Sequence, residues 1–374
     1  MRGTANRSLN LKLLLALALL AASRAAFAEP YLAVQQGLKC SACHVNPTGG
    51  GMRNTFGQIW SQTAWPEKRI DTGDPWTGEL NRFVAVGGNL RASGTFTDVP
   101  HQRSLTAFDI DDGRVYVDIR AIPDRLSLYL DERVAPGGSI NREAYARLSF
   151  ANQRYYVKAG QLFLPFGIRL QDDTAFTRQV TGINFATPDK GVELGMETAM
   201  WTAQLAVTNG TAGGPATPDG KQYSARIEHV TANWRAGASF NYDDSSKGTT
   251  STGTQLGKRQ MQNLFAGLRT GPVAWLIEGD YIIDNTLVPN RKQTVGLIEA
   301  DWRFRPGQNL KLTAEYFDPD TDVSHDYQDR FSLVWEYTPF QFAQLRVGLR
   351  NYDGIPQSDL QNQRLVFVQV NGYF

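Results

Sequence analysis

The sequence predicts an all-β fold, a closed antiparallel barrel of about sixteen strands. From Arg82 to the C terminus, segments of roughly nine to thirteen residues alternate apolar and polar side chains with a period of two. Their connections alternate between short turns and long polar loops, a pattern that a soluble sandwich does not require. After the first 28 residues, no apolar stretch reaches the length of a membrane-spanning helix. Since a barrel also satisfies every backbone group in lipid, the sequence favours a transmembrane barrel.

The alternation gives each predicted strand one apolar and one polar face. In residues 114–120, Val115, Val117 and Ile119 share one face, and polar side chains occupy the other. A barrel turns the apolar face to lipid and the charges to the lumen, whereas a soluble sandwich reverses them. The predicted strands span about residues 82–97, 112–121, 124–133, 142–151, 154–163, 190–198, 200–209, 221–233, 235–243, 258–270, 272–284, 291–304, 309–318, 327–338, 341–351 and 361–374.

The first 28 residues have the features of a secretory signal peptide. A basic start is followed by the apolar stretch 13–22, and Ala26-Phe27-Ala28 supplies the small residues of a cleavage site. The mature chain is therefore expected to begin at Glu29. The whole sequence contains 35 Gly, 14 Tyr, 19 Phe and 8 Trp, which fit a membrane barrel, and its net charge of +1 predicts no nucleic-acid partner.

The mature chain begins with a motif that is typical of covalent haem attachment. Cys40 and Cys43 are the only 2 cysteines, and His44 follows directly. In the C-x-x-C-H pattern the two thiols form thioethers with haem, and the imidazole is the proximal ligand of the iron. A disulfide-exchange pair would need a βαβ context, and a zinc site would need a second Cys/His pair. The motif therefore predicts one haem c held by Cys40, Cys43 and His44.

The distal ligand of the iron is less well defined by the sequence. Met52 lies eight residues after His44, and a Met/His pair would raise the reduction potential. His101, His229 and His325 are further candidates, as is a water molecule or a vacant position. Met52 is the ligand that we predict.

Three regions follow from this pattern: residues 1–28 as signal peptide, 29–81 as a monohaem cytochrome c segment, and 82–374 as the barrel. The segment 29–81 is too short to bury a core alone, so it is expected to pack in the barrel mouth or lumen as a plug. In that segment Phe56, Ile59, Trp60 and Trp65 are expected to cover one haem face. The third long loop, residues 165–190, is predicted either to fold into the lumen or to lie exposed to solvent.

The motif, the barrel and the C-terminal Phe374 together resemble the fused cytochrome–porin family, whose best-known members are outer-membrane iron oxidases. The matching residues are 37–44, Pro47 and Phe56-Gly57, whereas the run 46–51 and the short barrel depart from the family. A terminal Phe resembles the signal that outer-membrane assembly machinery reads. The resemblance implies a bacterial outer-membrane location and electron transfer through the haem, between Fe(II) or another extracellular redox partner and a periplasmic c-type cytochrome.

Two other functions are compatible with the sequence. The chain could be a solute porin whose haem segment serves as a sensor or plug, or a soluble all-β periplasmic cytochrome. The terminal Phe374 and the alternating loops favour a membrane barrel over the soluble cytochrome. If the chain oxidises Fe(II), it is an Fe(II):cytochrome c oxidoreductase. A monomer and a porin-like trimer are both consistent with the sequence.

Overall fold

A computed structural model describes residues 29–183, 187–215, 220–245, 248–249, 255–286 and 288–374, and the predicted signal peptide lies outside them. Within these ranges, sixteen strands form one barrel. They are β1 (Val84–Asp98), β2 (Leu105–Ile122), β3 (Leu126–Ala135), β4 (Ile140–Phe150), β5 (Tyr155–Leu162), β6 (Asp189–Glu197), β7 (Trp201–Thr208), β8 (Gln222–Val230), β9 (Trp234–Asp243), β10 (Arg259–Thr270), β11 (Val273–Asp284), β12 (Arg291–Arg305), β13 (Gln308–Asp318), β14 (Gln328–Phe340), β15 (Ala343–Asp353) and β16 (Arg364–Tyr373).

The barrel closes between its first and last strands. β16 pairs with β1 in antiparallel register from Arg364 opposite Asp98 to Tyr373 opposite Asn89. Each other barrel strand is antiparallel to its neighbours in sequence, so no strand edge of the barrel is left unpaired. A short strand, Glu79–Asn81, adds to β1, and Gly248–Thr249 pairs with Gln255–Leu256 in a separate hairpin.

The predicted all-β barrel is confirmed, with one strand that is longer than expected. β2 begins at Leu105, about seven residues before the predicted start, because its pairing with β1 continues past Asp112 through a register shift. Phe108 in this extension is 86% exposed. Asp109, Asp111 and Asp112 obscure the alternation there, so the sequence pattern alone suggests a loop.

The outer surface of the barrel is apolar. Leu130, Leu194, Leu264 and Val368 are exposed large side chains on four different strands, and their neighbours in sequence face inward. Near the short turns the outer surface carries Trp201, Trp234, Trp275, Trp302 and Trp335. An apolar band with an aromatic girdle at its edge is the surface that lipid requires, so the chain is a bacterial outer-membrane barrel with its short turns on the periplasmic side.

The described residues also form three α-helices, α1 (Pro30–Gln36), α2 (Thr55–Thr63) and α3 (Phe176–Thr181), and two short 3-10 helices, Cys40–Ala42 and Asp359–Asn362. None of the helices in the described part of the chain is long and apolar enough to cross a membrane. α1 and α2 belong to the N-terminal segment, and α3 belongs to the third loop, L3 (residues 163–188).

Protein occupies part of the lumen. α1 packs on β10 and β11, where the inward side chains of Phe265 and Leu276 are apolar and buried. Trp65 of the N-terminal segment stacks on Tyr373 of β16, with ring centroids 5.5 Å apart. These side chains bury apolar surface against the inner wall of the barrel.

A substitution on the outer surface tests the membrane orientation. Leu264→Arg, at the middle of β10, should lower the free energy of unfolding from a bilayer by about 2–4 kcal/mol, because the charge lies at the membrane midplane. Leu268→Arg, on the same face near the periplasmic end, should cost only about 0–1 kcal/mol. Denaturant titration of barrels in lipid vesicles measures both values, and equal costs would contradict the orientation.

Candidate haem site in the barrel lumen

The Cys40–His44 motif forms one tight turn. Residues Cys40–Ala42 are a 3-10 helix, in which the backbone N–H groups of Cys43 and His44 donate to the Cys40 carbonyl at 3.1 and 3.0 Å. Both cysteines are half-buried free thiols. The turn brings two thiols and an imidazole together, as covalent attachment of a haem requires.

α2 holds this turn through Asn54, its N-cap residue. The Asn54 side-chain oxygen accepts from the Gly57 N–H at 2.9 Å, while its amide donates to the carbonyls of Ser41 and Ala42 at 3.2 and 3.0 Å. A Cβ on Gly57 would lie 2.2 Å from the Cys43 carbonyl oxygen, so only glycine allows this approach. The Phe56-Gly57 pair therefore has a structural reason to follow the motif at this spacing.

The glycine run after the motif is a second constraint on the site. Gly49, Gly50 and Gly51 have φ values of +86°, +70° and +62°, a region that residues with a side chain rarely adopt. A Cβ on Gly49 would lie 3.3 Å from Cβ and 3.4 Å from Sγ of Cys40. The run keeps bare backbone beside the cysteine, which leaves room for a group bound to its sulfur.

A cavity lies against Cys40, Cys43 and His44. Apolar side chains and arginines line it, an arrangement that suits a flat apolar ring with acidic substituents. The lining includes Leu32, Ala33, Leu38, Trp60, Ile168, Leu276, Arg53, Arg169, Arg226 and Arg235.

His44 is buried in this cavity, and in the described part of the chain its Nδ1 atom has no hydrogen-bond partner. Burial, with the nearby Arg53 and Arg169 guanidinium groups, lowers the pKa of His44 to about 3. The imidazole is therefore neutral at neutral pH, which is the form that can bind iron. Burial also raises the pKa of the Cys43 thiol to about 11.

The structure places Met52 away from the cavity. Its side chain is 1% exposed and packs with Tyr116, Tyr129 and Leu162 of the barrel wall. Its backbone N–H donates to the Tyr129 hydroxyl at 2.9 Å. The geometry does not favour Met52 as a distal ligand, because the Gly49–Gly51 turn directs its side chain to the wall.

The other predicted histidines also lie outside the cavity. His101 is in an external loop beside Asp359, and His325 is in another external loop. His229 lies on the outer surface of β8 between Trp201 and Trp234. Of the histidines in the described residues, only His44 lines the cavity.

Only one of the four side chains expected to cover a haem face lines the cavity. Trp60 lines it, whereas Trp65 lies beyond the end of α2 and stacks on Tyr373. Phe56 and Ile59 are 49% and 38% exposed and do not line the cavity. The buried side of α2 is formed instead by Gly57, Gln58, Ser61 and Gln62.

L3 folds into the lumen, which settles the two alternatives for this loop. The Arg178 guanidinium pairs with Glu278 of β11 at 2.9 Å, and the Ile168 N–H donates to the same carboxylate at 3.2 Å. Although burial opposes ionisation, Arg350 and Arg330 hold the pKa of Asp172 well below its usual range. The Arg169 guanidinium donates to the Gly49 carbonyl at 2.7 Å, so L3 contacts the glycine run directly.

The sequence pattern does not identify the barrel residues that complete the cavity. Arg226 and Glu228 share the inward face of β8, and Arg235 points inward from β9. Period-two spacing identifies Arg226 and Glu228 as neighbours on one face. It does not say which part of the lumen they face, because that depends on the packing of the plug.

A second, wider cavity of about 1,560 Å³ opens on the periplasmic side of the motif. Ser41, His44 and Val45 line it, together with the short turn Ile122–Arg125. At its edge Lys39 is paired with Glu197 of β6, whose carboxylate also accepts from the Ser41 hydroxyl at 2.9 Å. The motif thus separates the inner cavity from the periplasmic mouth of the barrel.

No protein-family model and no curated protein matches the chain. Solved structures with a similar fold are outer-membrane barrels. The anion-selective porin from Comamonas acidovorans is 12% identical with a TM-score of 0.59, over 78% of this chain and 99% of the porin. OprB from Pseudomonas putida is 9% identical with a TM-score of 0.61, over 79% and 95%. OmpT from Vibrio cholerae, in its trimer form, is 13% identical with a TM-score of 0.57, over 78% and 99%.

At these identities the comparisons establish the fold alone. The barrel has the architecture of outer-membrane porins, and the chain differs from a simple barrel in the segment that occupies part of its lumen.

The contact of Gly57 with Cys43 provides a test of the site's architecture. Gly57→Ala should weaken the docking of α2 on the motif by about 1–3 kcal/mol, because its methyl group overlaps the Cys43 carbonyl. Amide exchange across residues 40–63 should accelerate accordingly. Gly279→Ala is the matched control, since a Cβ there meets open space. Equal exchange in the two variants would contradict the contact.

Proposed function

We propose that the chain is an outer-membrane electron conduit that carries one covalently bound haem c. The observation that supports this most directly is the largely apolar cavity that Cys40, Cys43 and His44 line inside the barrel. When bound, the haem supplies an iron that changes reversibly between Fe(II) and Fe(III). The protein supplies its position between the two sides of the membrane.

The residues of the cavity fit this group. Cys40 and Cys43 would hold it covalently, and the neutral His44 imidazole would be an axial ligand. Gly49 leaves space beside Cys40 that a Cβ would fill, and Leu32, Trp60 and Leu276 supply apolar contacts. Within the described residues, no His other than His44 and no Met lines the cavity. The distal ligand of the iron is therefore not assigned to a side chain.

The partly filled lumen supports conduction of electrons in preference to solutes. L3 and the N-terminal segment meet at the Arg169–Gly49 hydrogen bond and cover the cavity from the external side. On the periplasmic side the motif lines the wider cavity, where a soluble electron carrier can approach. A buried cofactor shielded from water has a potential that the protein controls through burial and hydrogen bonding.

The redox partners proposed are those that the family resemblance implies. An extracellular donor such as Fe(II), or an extracellular acceptor, would exchange electrons across L3, and a periplasmic c-type cytochrome would serve the other side. With Fe(II) as donor, the chain would act as an Fe(II):cytochrome c oxidoreductase. The apolar outer surface makes outer-membrane lipid a direct partner, and it accommodates a monomer or a trimer of the porin type.

A solute or ion porin with a haem-bearing plug is the second candidate. The similarity of the barrel to an anion-selective porin and to OprB favours it. In that case the N-terminal segment would sense or block the pore. The buried apolar contacts of Trp65, Ile168 and Leu297 argue against an open lumen, because an aqueous channel would leave them in water.

Reduction by external Fe(II) tests the conduit. The protein is placed in liposomes with L3 outward, Fe(II) is added outside, and the haem absorption bands are followed. Wild type should be reduced, and His44→Ala should not, because it lacks the axial ligand. His101→Ala is the matched control, since His101 is exposed in an external loop, and it should behave as wild type. Absence of covalent haem after denaturation would contradict the proposal.

Pore conductance tests the porin alternative. Wild type should conduct poorly in planar bilayers, and Glu278→Ala should raise single-channel conductance. The substitution leaves Arg178 buried without its carboxylate, which costs about 3–5 kcal/mol and releases L3. Lys292→Ala breaks an exposed pair with Asp322, worth only about 0–1 kcal/mol, and should change nothing. High wild-type conductance that Glu278→Ala does not alter would favour the porin.

A further inference from the structure

One wall of the haem cavity carries two buried arginines that share a carboxylate. Arg226 of β8 and Arg235 of β9 are 5% and 6% exposed, and both line the cavity. Glu228 accepts from Nη2 of Arg226 at 3.2 Å and from Nε of Arg235 at 2.7 Å. One carboxylate therefore pairs with two guanidinium groups. The wall keeps an excess of positive charge facing the cavity.

The two arginines stand at different depths. Arg235 pairs in register with Val230, so it lies near the periplasmic end of the wall, and its Nη2 is 3.9 Å from Sγ of Cys40. Along β8 the Cα atom of Arg226 lies four residues from that of Val230, about 13 Å at the rise of an extended strand, although both arginine side chains reach Glu228. Arg226 contacts Gly167 of L3 rather than the motif. The cavity thus has one end at Cys40 and Arg235 and another at Arg226 and L3.

L3 fixes the orientation of Arg226. Its Nε donates to the Gly167 carbonyl at 3.0 Å, and its guanidinium lies over the Phe265 ring at 4.7 Å. Nε is therefore bound to Gly167 and Nη2 to Glu228. Nη1, in contrast, is buried without a hydrogen-bond partner in the described residues. A buried charged N–H without an acceptor is unfavourable, so a ligand of this cavity should provide an anionic oxygen at Nη1.

We propose that Arg226 binds a propionate carboxylate of the haem, an inference that rests on the proposed haem function. The vinyl groups that form thioethers and the two propionates are on opposite edges of a haem. With Cys40 at one end of the cavity and Arg226 at the other, the carboxylate edge is directed toward L3. Nη1 is the nitrogen left to donate, and a hydrogen bond between a charged guanidinium and a carboxylate is about twice as strong as one between neutral groups.

Arg226→Gln and Arg235→Gln are the matched variants, because each removes one buried charge paired with Glu228. Both should lower the ratio of reduced to oxidised haem at a fixed potential by about tenfold, a shift of about 59 mV for a one-electron couple. Only Arg226→Gln should shift the carboxylate bands of a haem labelled with ¹³C at its propionates, measured as a redox difference infrared spectrum. It should also make the potential dependent on pH between about 5 and 8, because the buried propionate loses its partner.

Arg226→Lys should restore the charge and most of the potential but not the wild-type band positions, because a lysine ammonium cannot bind Gly167, Glu228 and the carboxylate with the fixed geometry of a planar guanidinium. Heat-modifiable migration on gels verifies that each barrel is folded. Unchanged carboxylate bands in Arg226→Gln, with covalent haem present, would overturn this inference and leave the conduit intact. Absence of covalent haem in the wild-type protein would overturn both.

Discussion

The contact between L3 and the N-terminal segment organises the lumen. A barrel of this size would otherwise enclose water, and its inward apolar side chains on β10, β11 and β12 would be exposed. The two segments fill the space from opposite sides and meet where Arg169 donates to the Gly49 carbonyl at 2.7 Å. Each is held separately to the wall, L3 through Glu278 and the N-terminal segment through Tyr373. The cavity exists because these two fixed segments leave space between them.

Glycines set the shape of that space on the side of the motif. Gly57 allows α2 to reach the Cys43 carbonyl, and the positive φ values of Gly49 and Gly50 turn the chain away from Cys40. A Cβ on Gly57 would overlap the Cys43 carbonyl, and the left-handed backbone of Gly49 and Gly50 disfavours a side chain there. The same turn explains why Met52 faces the wall: after three left-handed residues the chain returns to pair with Val45, whose N–H donates to the Met52 carbonyl at 3.0 Å.

The sequence predicts the barrel well because a lipid-facing strand has a strict period of two. The predicted strand boundaries are wrong where charged residues interrupt the alternation, as at Asp109–Asp112 of β2. The motif is equally local, so Cys40, Cys43 and His44 are recognisable without a structure. The rest of the site is not local. Arg226 resembles any lumen-facing arginine in the sequence, and only the packing of L3 against β8 makes it part of the cavity. One usable signal was the run Val273–Ile277, which is apolar on both faces, as expected for a wall that packs against a plug.

The distribution of charge also bears on how a porin-like barrel could become a conductor. In an open porin, lumen charges face water and are screened, so their positions tune ion flow without fixing a ligand. Here the lumen charges are buried in pairs, such as Arg114 with Asp131 and Lys158 with Glu193. Once buried, each charge depends on its partner, because an unpaired buried charge is strongly destabilising. The charged side chains of this lumen are therefore held in fixed pairs instead of being solvated by water. A redox group in such a framework has a fixed electrostatic environment, which an electron carrier needs and a solute channel does not.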